Sequence, residues 1–97
     1  MEKIHTIEVD AFFDAILMLK DREECYRFFE DALTVKEILD IAQRLKAAKM
    51  LKSGRSYTEV IAETGMSTAT ISRVSKALER GAGGYDLVIS RVEDKND

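Results

Sequence analysis

Between Ser67 and Lys76 the run Ser-Thr-Ala-Thr-Ile-Ser-Arg-Val-Ser-Lys sorts its side chains by helical position. Ile71, Val74 and, one turn on, Leu78 fall on one face. Thr68, Ala69, Ser72, Arg73 and Lys76 fall on the other. The outer set is small at the amino-terminal end and cationic further along. Such a helix tip can descend into a major groove, where a Thr or Ala methyl meets a thymine methyl and a hydroxyl bonds a base edge. Arg73 and Lys76 are placed for a phosphate or a guanine. Ser67 caps this helix and shares its tip with Thr70. Upstream, Ser56, Tyr57 and Thr58 open another helix, whose free backbone N–H groups can hold a flanking phosphate. The expected contacts to double-stranded DNA are therefore Ser56, Tyr57, Thr58, Ser67, Thr68, Ala69, Thr70, Ser72, Arg73 and Lys76.

Other chemistries find little to build on. The single histidine, His5, lies near the start of the chain, and the single cysteine, Cys25, has no base beside it in sequence. Cys25 is expected to be a half-buried, unreactive thiol, since one cysteine forms no internal disulfide. No phosphate-cradling glycine loop, metal-ligand cluster or nucleophile motif is present. Paired carboxylates such as Glu23 and Glu24 read as a solvated face. No catalytic residue, metal or cofactor is expected, and the chain is not expected to be an enzyme.

A helix that reads DNA needs a second helix across a tight turn. Ser56-Tyr-Thr-Glu59 has the capping-box form and starts a short helix to about Thr64. Gly65 makes the turn, because it tolerates positive φ. Ser67 begins the next helix, which runs to about Arg80, so a helix-turn-helix is expected over about 56–80. Val60, Thr64, Met66, Ile71 and Val74 have the spacing of a shared small core. Ile61 is a departure, standing where such motifs place a small residue near the helix crossing.

The rest of the chain also favours helix: Pro is absent and Gly is sparse. A first helix is expected through about Lys20, and a second opens at the capping box Asp21–Glu24 and ends near Asp31. In the second, Tyr26, Phe28 and Phe29 are expected to pack inward. A third helix opens at Thr34–Glu37 and runs to about Lys52, with Ile38, Ile41, Ala42, Leu45 and Ala48 as its buried stripe and Gly54 as its stop. A last helix is expected from Tyr85 to about Glu93, carrying Leu87, Val88, Ile89 and Val92. The first helix shows apolar residues nearly all round (Val9, Phe12, Phe13, Ile16, Leu17, Leu19) and must be covered on more than one side. A chain of 97 residues has little else to cover it with, which points to a partner subunit.

Charge is unevenly placed. From Arg44 to Arg80 there are eight cations against three anions, a net +5. The remainder has seven against fifteen, a net −8, so the chain totals −3. A basic segment on an acidic body suits phosphate contact on one face. The longest near-apolar run, Ala11 to Leu19, is too short to span a bilayer. With no secretory leader pattern, a cytoplasmic protein that does not engage membranes is expected.

From Leu33-Thr34, through Leu51-Lys-Ser-Gly54, to Ala69-Thr-Ile-Ser-Arg73 and Ser75, the chain resembles the Trp repressor superfamily, most closely its YerC/YecD-type TrpR-related branch. The resemblance covers about Leu33 to Leu78. It implies an all-α, six-helix TrpR-like fold over residues 1–97 as a single DNA-binding domain, assembled as an intertwined homodimer. Dimerisation is expected mainly through 6–53 and 84–95, with two helix-turn-helix heads one DNA turn apart. Trp repressor sandwiches the tryptophan indole between two arginines, and Arg44 and Arg73 match those positions. Val74, however, replaces a glycine beside that pocket and Ala77 replaces a serine. The resemblance thus leaves Arg44, Arg73, Val74 and Ala77 as an effector pocket for some small molecule, with L-tryptophan disfavoured because a β-branched side chain partly fills the space. The function expected is a sequence-specific transcriptional regulator of the repressor type. The alternative is an interaction module that docks the same helices on a transcription partner.

Overall fold

The computed structural model describes residues 2–96. Six α-helices follow a short 3-10 turn at Glu2–Ile4, and no strand occurs among the described residues: α1 (Ile7–Ile16), α2 (Arg22–Ala32), α3 (Val35–Lys52), α4 (Tyr57–Thr64), α5 (Thr68–Arg80) and α6 (Gly84–Asn96). The chain divides into two compact units, Met1–Val35 and Lys36–Asp97.

In the first unit, Thr6 caps α1 by accepting the Val9 N–H at 3.1 Å. The helix ends at Ile16, a turn earlier than its apolar run predicts. Beyond it the Met18 and Leu19 N–H groups bond the carbonyls of Ala15 and Ile16, three residues back, which tightens the chain out of α geometry. Lys20 N–H is then taken by Glu24 Oε1 at 2.9 Å, so Lys20 belongs to the cap of α2. Asp21 completes that cap by accepting the Glu24 N–H at 2.9 Å. Only half of the expected capping box forms: Asp21 takes the Glu24 N–H, but Glu24 returns to the Lys20 N–H rather than to that of Asp21.

Phe12, Phe13, Phe28 and Phe29 make a chain of ring contacts linking α1 and α2, with centroids 5.2–6.1 Å apart. Phe28 and Phe29 are half-buried as expected, and so is Cys25. Tyr26 does not pack inward: it is 56% exposed, lying about 200° round the helix from Phe28. Neither helix contains a buried residue.

The second unit holds the core. Ala47, Ala48, Met50, Val60, Ile71, Val74 and Ile89 are buried together, with Leu45, Leu51, Met66, Leu78 and Tyr85 packed against them. The expected stripe on α3 is only partly right. Ala48 is buried and Ile38 and Leu45 are half-buried, whereas Ile41 and Ala42 are exposed. The buried part of α3 is its carboxy-terminal half, where two alanines lie against the core. α3 stops in a Schellman arrangement: Arg55 N–H bonds the Met50 carbonyl and Gly54 N–H the Leu51 carbonyl, both at 3.0 Å.

α4 packs on α5, and α5 on α6. α6 starts one residue earlier than expected, because the Gly83 carbonyl accepts the Leu87 N–H at 3.0 Å, and it runs on to Asn96. Of its apolar residues only Ile89 is buried; Leu87, Val88 and Val92 are 40–52% exposed.

Candidate nucleic-acid interface

The helix-turn-helix forms where its residues predict. Ser56 Oγ accepts the Glu59 N–H at 3.2 Å while Glu59 Oε1 accepts the Ser56 N–H at 2.9 Å, a complete capping box. α4 ends at Gly65, whose φ of 71° and ψ of 9° place it in the left-handed region that glycine enters at no steric cost. Ser67 caps α5 by accepting the Thr70 N–H at 3.2 Å, and the two hydroxyls lie 3.0 Å apart. Val60 seals the contact from the α4 side. Ile61 is 38% exposed, so a residue of that size fits without entering the centre of the crossing.

α5 is divided as its sequence requires. Ile71 and Val74 are 0% and 2% exposed and Leu78 packs against the core. Thr68, Ala69, Arg73 and Lys76 are exposed, and Thr70 and Ser72 are half-buried on the flanks. Ser56, Tyr57, Thr58 and Ser67 are exposed at the two helix starts. All ten expected DNA contacts therefore lie at the surface or on its edge, on two helices joined by one turn. Arg73 and Lys76 stand in no ion pair among the described residues, so their charge is available to an anion.

Other cations of the basic segment are engaged. Arg55 Nε lies 3.1 Å from Glu59 Oε2, and its NH2 group 4.0 Å from Glu63. Lys52 Nζ lies 3.2 Å from Asp86 and 3.3 Å from the Ser90 hydroxyl. These pairs are largely exposed and weak, so they trim the local field without abolishing it. The Glu59 carboxyl is held below the usual carboxylate range, first by the Ser56 N–H, then by the Ser56 hydroxyl and by Arg55. Arg55 was absent from the expected contacts, yet it stands immediately before the α4 cap. Its Glu at i+4 is the sequence signal for the ion pair.

The four residues of the expected effector pocket do not converge on one cavity. Arg44 and Ala77 line a hollow of about 500 Å³ together with Ile41, Leu45, Tyr85 and Val88. Arg44 also borders a groove of about 370 Å³ beside the turn, with Asp40, Gln43 and Met66. Val74 is closed into the core, and Arg73 lines neither cavity. No group of three or more His, Cys, Asp or Glu residues that could hold a metal occurs among the described residues. No described helix is long and apolar enough to cross a membrane.

Comparison with known proteins adds to this geometry. The family profile of the Trp repressor protein matches residues 7–93. The uncharacterized protein YerC of Bacillus subtilis (strain 168) is 48% identical over 94 residues, covering 97% of this chain and 90% of that one. A TrpR-like protein from Eubacterium eligens superposes with a TM-score of 0.92 at 48% identity, covering 96% of both chains. A candidate Trp repressor from Staphylococcus aureus does so with a TM-score of 0.91 at 48% identity, covering 95% of this chain and 92% of that one.

Proposed function

The chain belongs to the Trp repressor protein family, a family of DNA-binding regulators and not of enzymes, and from that premise we propose that it is a homodimeric, sequence-specific repressor of transcription. One observation carries the reading: α5 seals Ile71 and Val74 inside while presenting Thr68, Ala69, Arg73 and Lys76 to solvent, the two cations in no ion pair among the described residues. A helix that served packing alone would have no need of so bare and cationic an outer face.

The dimer is supported by apolar surface in the first unit. Ile7, Phe13, Leu17 and Met18 are 50–83% exposed, more than a lone small chain carries without consequence. A second copy covers them and brings two α5 helices to one duplex. The preferred site is then an inverted repeat with half-sites about 10 bp apart. L-tryptophan is not the effector in this proposal, since Val74 occupies the space that a glycine would leave; calorimetry with L-tryptophan should show no saturable heat. Another small molecule can still be accommodated beside Arg44.

Selection of binding sites from random duplex DNA, followed by titration at several salt concentrations, tests the function. A binder neutralising several phosphates should lose about 10³-fold or more in affinity between roughly 50 and 200 mM salt. Docking of the same helices on a transcription partner would respond far less, and a weak salt response with no enriched sequence would favour that alternative.

A further inference from the structure

The turn between α4 and α5 sets the direction of α5, and one hydroxyl bridges it. Thr64 Oγ1 donates to the Val60 carbonyl at 2.7 Å and accepts the Met66 N–H at 3.2 Å. Both ends of this bridge are anchored. Val60 is fully buried, and the Met66 side chain packs against the same core. The intervening Gly65 N–H is held separately by the Ile61 carbonyl at 2.8 Å. Immediately after Met66 comes Ser67, the cap of α5.

We propose that Thr64 is a positioning residue for DNA recognition: its hydroxyl fixes the path of the turn and hence the angle at which α5 presents Thr68, Ala69 and Arg73. The inference rests on the DNA-binding reading above. Replacing the hydroxyl with a methyl leaves the half-buried Met66 N–H without its acceptor, and the turn relaxes to regain one. Attraction to phosphates tolerates such a shift, because it is long-ranged and non-directional. Hydrogen bonds and methyl contacts at base edges do not. The effect therefore falls on the preference for the selected sequence and much less on general affinity for DNA.

The test compares the wild-type chain with Thr64→Val, which keeps the shape and loses the hydroxyl, and Thr64→Ser, which keeps it. Affinity for the selected duplex and for a scrambled one is read by fluorescence anisotropy, well below each melting temperature. Thr64→Val should lower the ratio of the two affinities about tenfold, the scale of one hydrogen bond, with scrambled-duplex affinity nearly unchanged. Thr64→Ser should restore the ratio. A Thr64→Val protein that melts earlier but keeps its ratio overturns the proposal, as does a Thr64→Ser protein as indiscriminate as the valine variant. Amide exchange in the wild type gives a check that needs no variant: the Met66 N–H should be protected, and rapid exchange there overturns the bridge. Failure of the wild type to bind any duplex overturns the DNA-binding reading itself, an outcome distinct from loss of preference in the variants alone.

Discussion

Arg73 lies far enough along α5 to meet either a guanine edge or a phosphate, and the two fates differ in what its removal does. If it bonds a guanine, Arg73→Ala should weaken binding by about 1–3 kcal/mol and relax preference at one base pair. If it meets phosphate, the loss should be uniform across sequences, with the salt slope reduced by about 1. Competition titrations against single-base variants of the selected site separate these. Glu59 supports a second residue-level prediction. Its carboxyl is held below the ordinary range chiefly by the Ser56 N–H, so its contribution to α4 is present above the unfolded pKa and lost as pH falls through the depressed folded value. Thermal melts of wild type should therefore decline more on acidification than those of Glu59→Gln, which keeps the cap uncharged at every pH. The Ser56–Glu59 cap could be read from the spacing of two residues. The grip of Glu59 and Glu63 on Arg55 was less accessible, because it depends on side-chain rotamers as well as on spacing.

At the scale of the element, the turn carries the most constraint. An added Cβ at Gly65 meets nothing within 4 Å, so the cost of Gly65→Ala is purely that of a left-handed backbone, about 1–2 kcal/mol in chemical denaturation. Ile89, 1% exposed, is the buried anchor of α6; Ile89→Ala should lose about 2–5 kcal/mol in the same measurement. The helices themselves were legible because caps, glycines and apolar spacing agree over most of the chain. The departures have separate physical causes. α1 stops early because the cap of α2 draws in Lys20, a tertiary-independent but non-periodic hydrogen bond that apolar patterning does not register. The α3 stripe held only in part because the buried positions cluster at the carboxy-terminal half: Ala48 is buried as expected and Ala47 and Met50 join it, whereas Ile41 and Ala42 are exposed.

At the scale of the molecule, the basic segment and the exposed apolar face call for different partners. The fold class followed from the sequence because the cap residues Asp21, Thr34, Ser56 and Ser67 and the glycines Gly54 and Gly65 all mark helix ends. The resemblance placed Arg44 and Ala77 in one pocket, but the absence of Arg73 and Val74 from their hollow did not follow, since matching positions along a chain does not say which side chains line a cavity. The apolar residues Ile7, Leu17 and Met18, exposed by 73–83%, should make the wild-type chain sediment as a dimer at micromolar concentration, and a well-folded monomer would contradict that assembly. The claim that most depends on the outer face of α5 is tested most directly by a footprint. Hydroxyl-radical cleavage of the selected duplex with wild type and with Thr68, Ser72 and Arg73 replaced together by Ala should show two protected patches about one helical turn apart, lost in the triple variant while it remains folded. Unchanged protection by that variant would contradict the account.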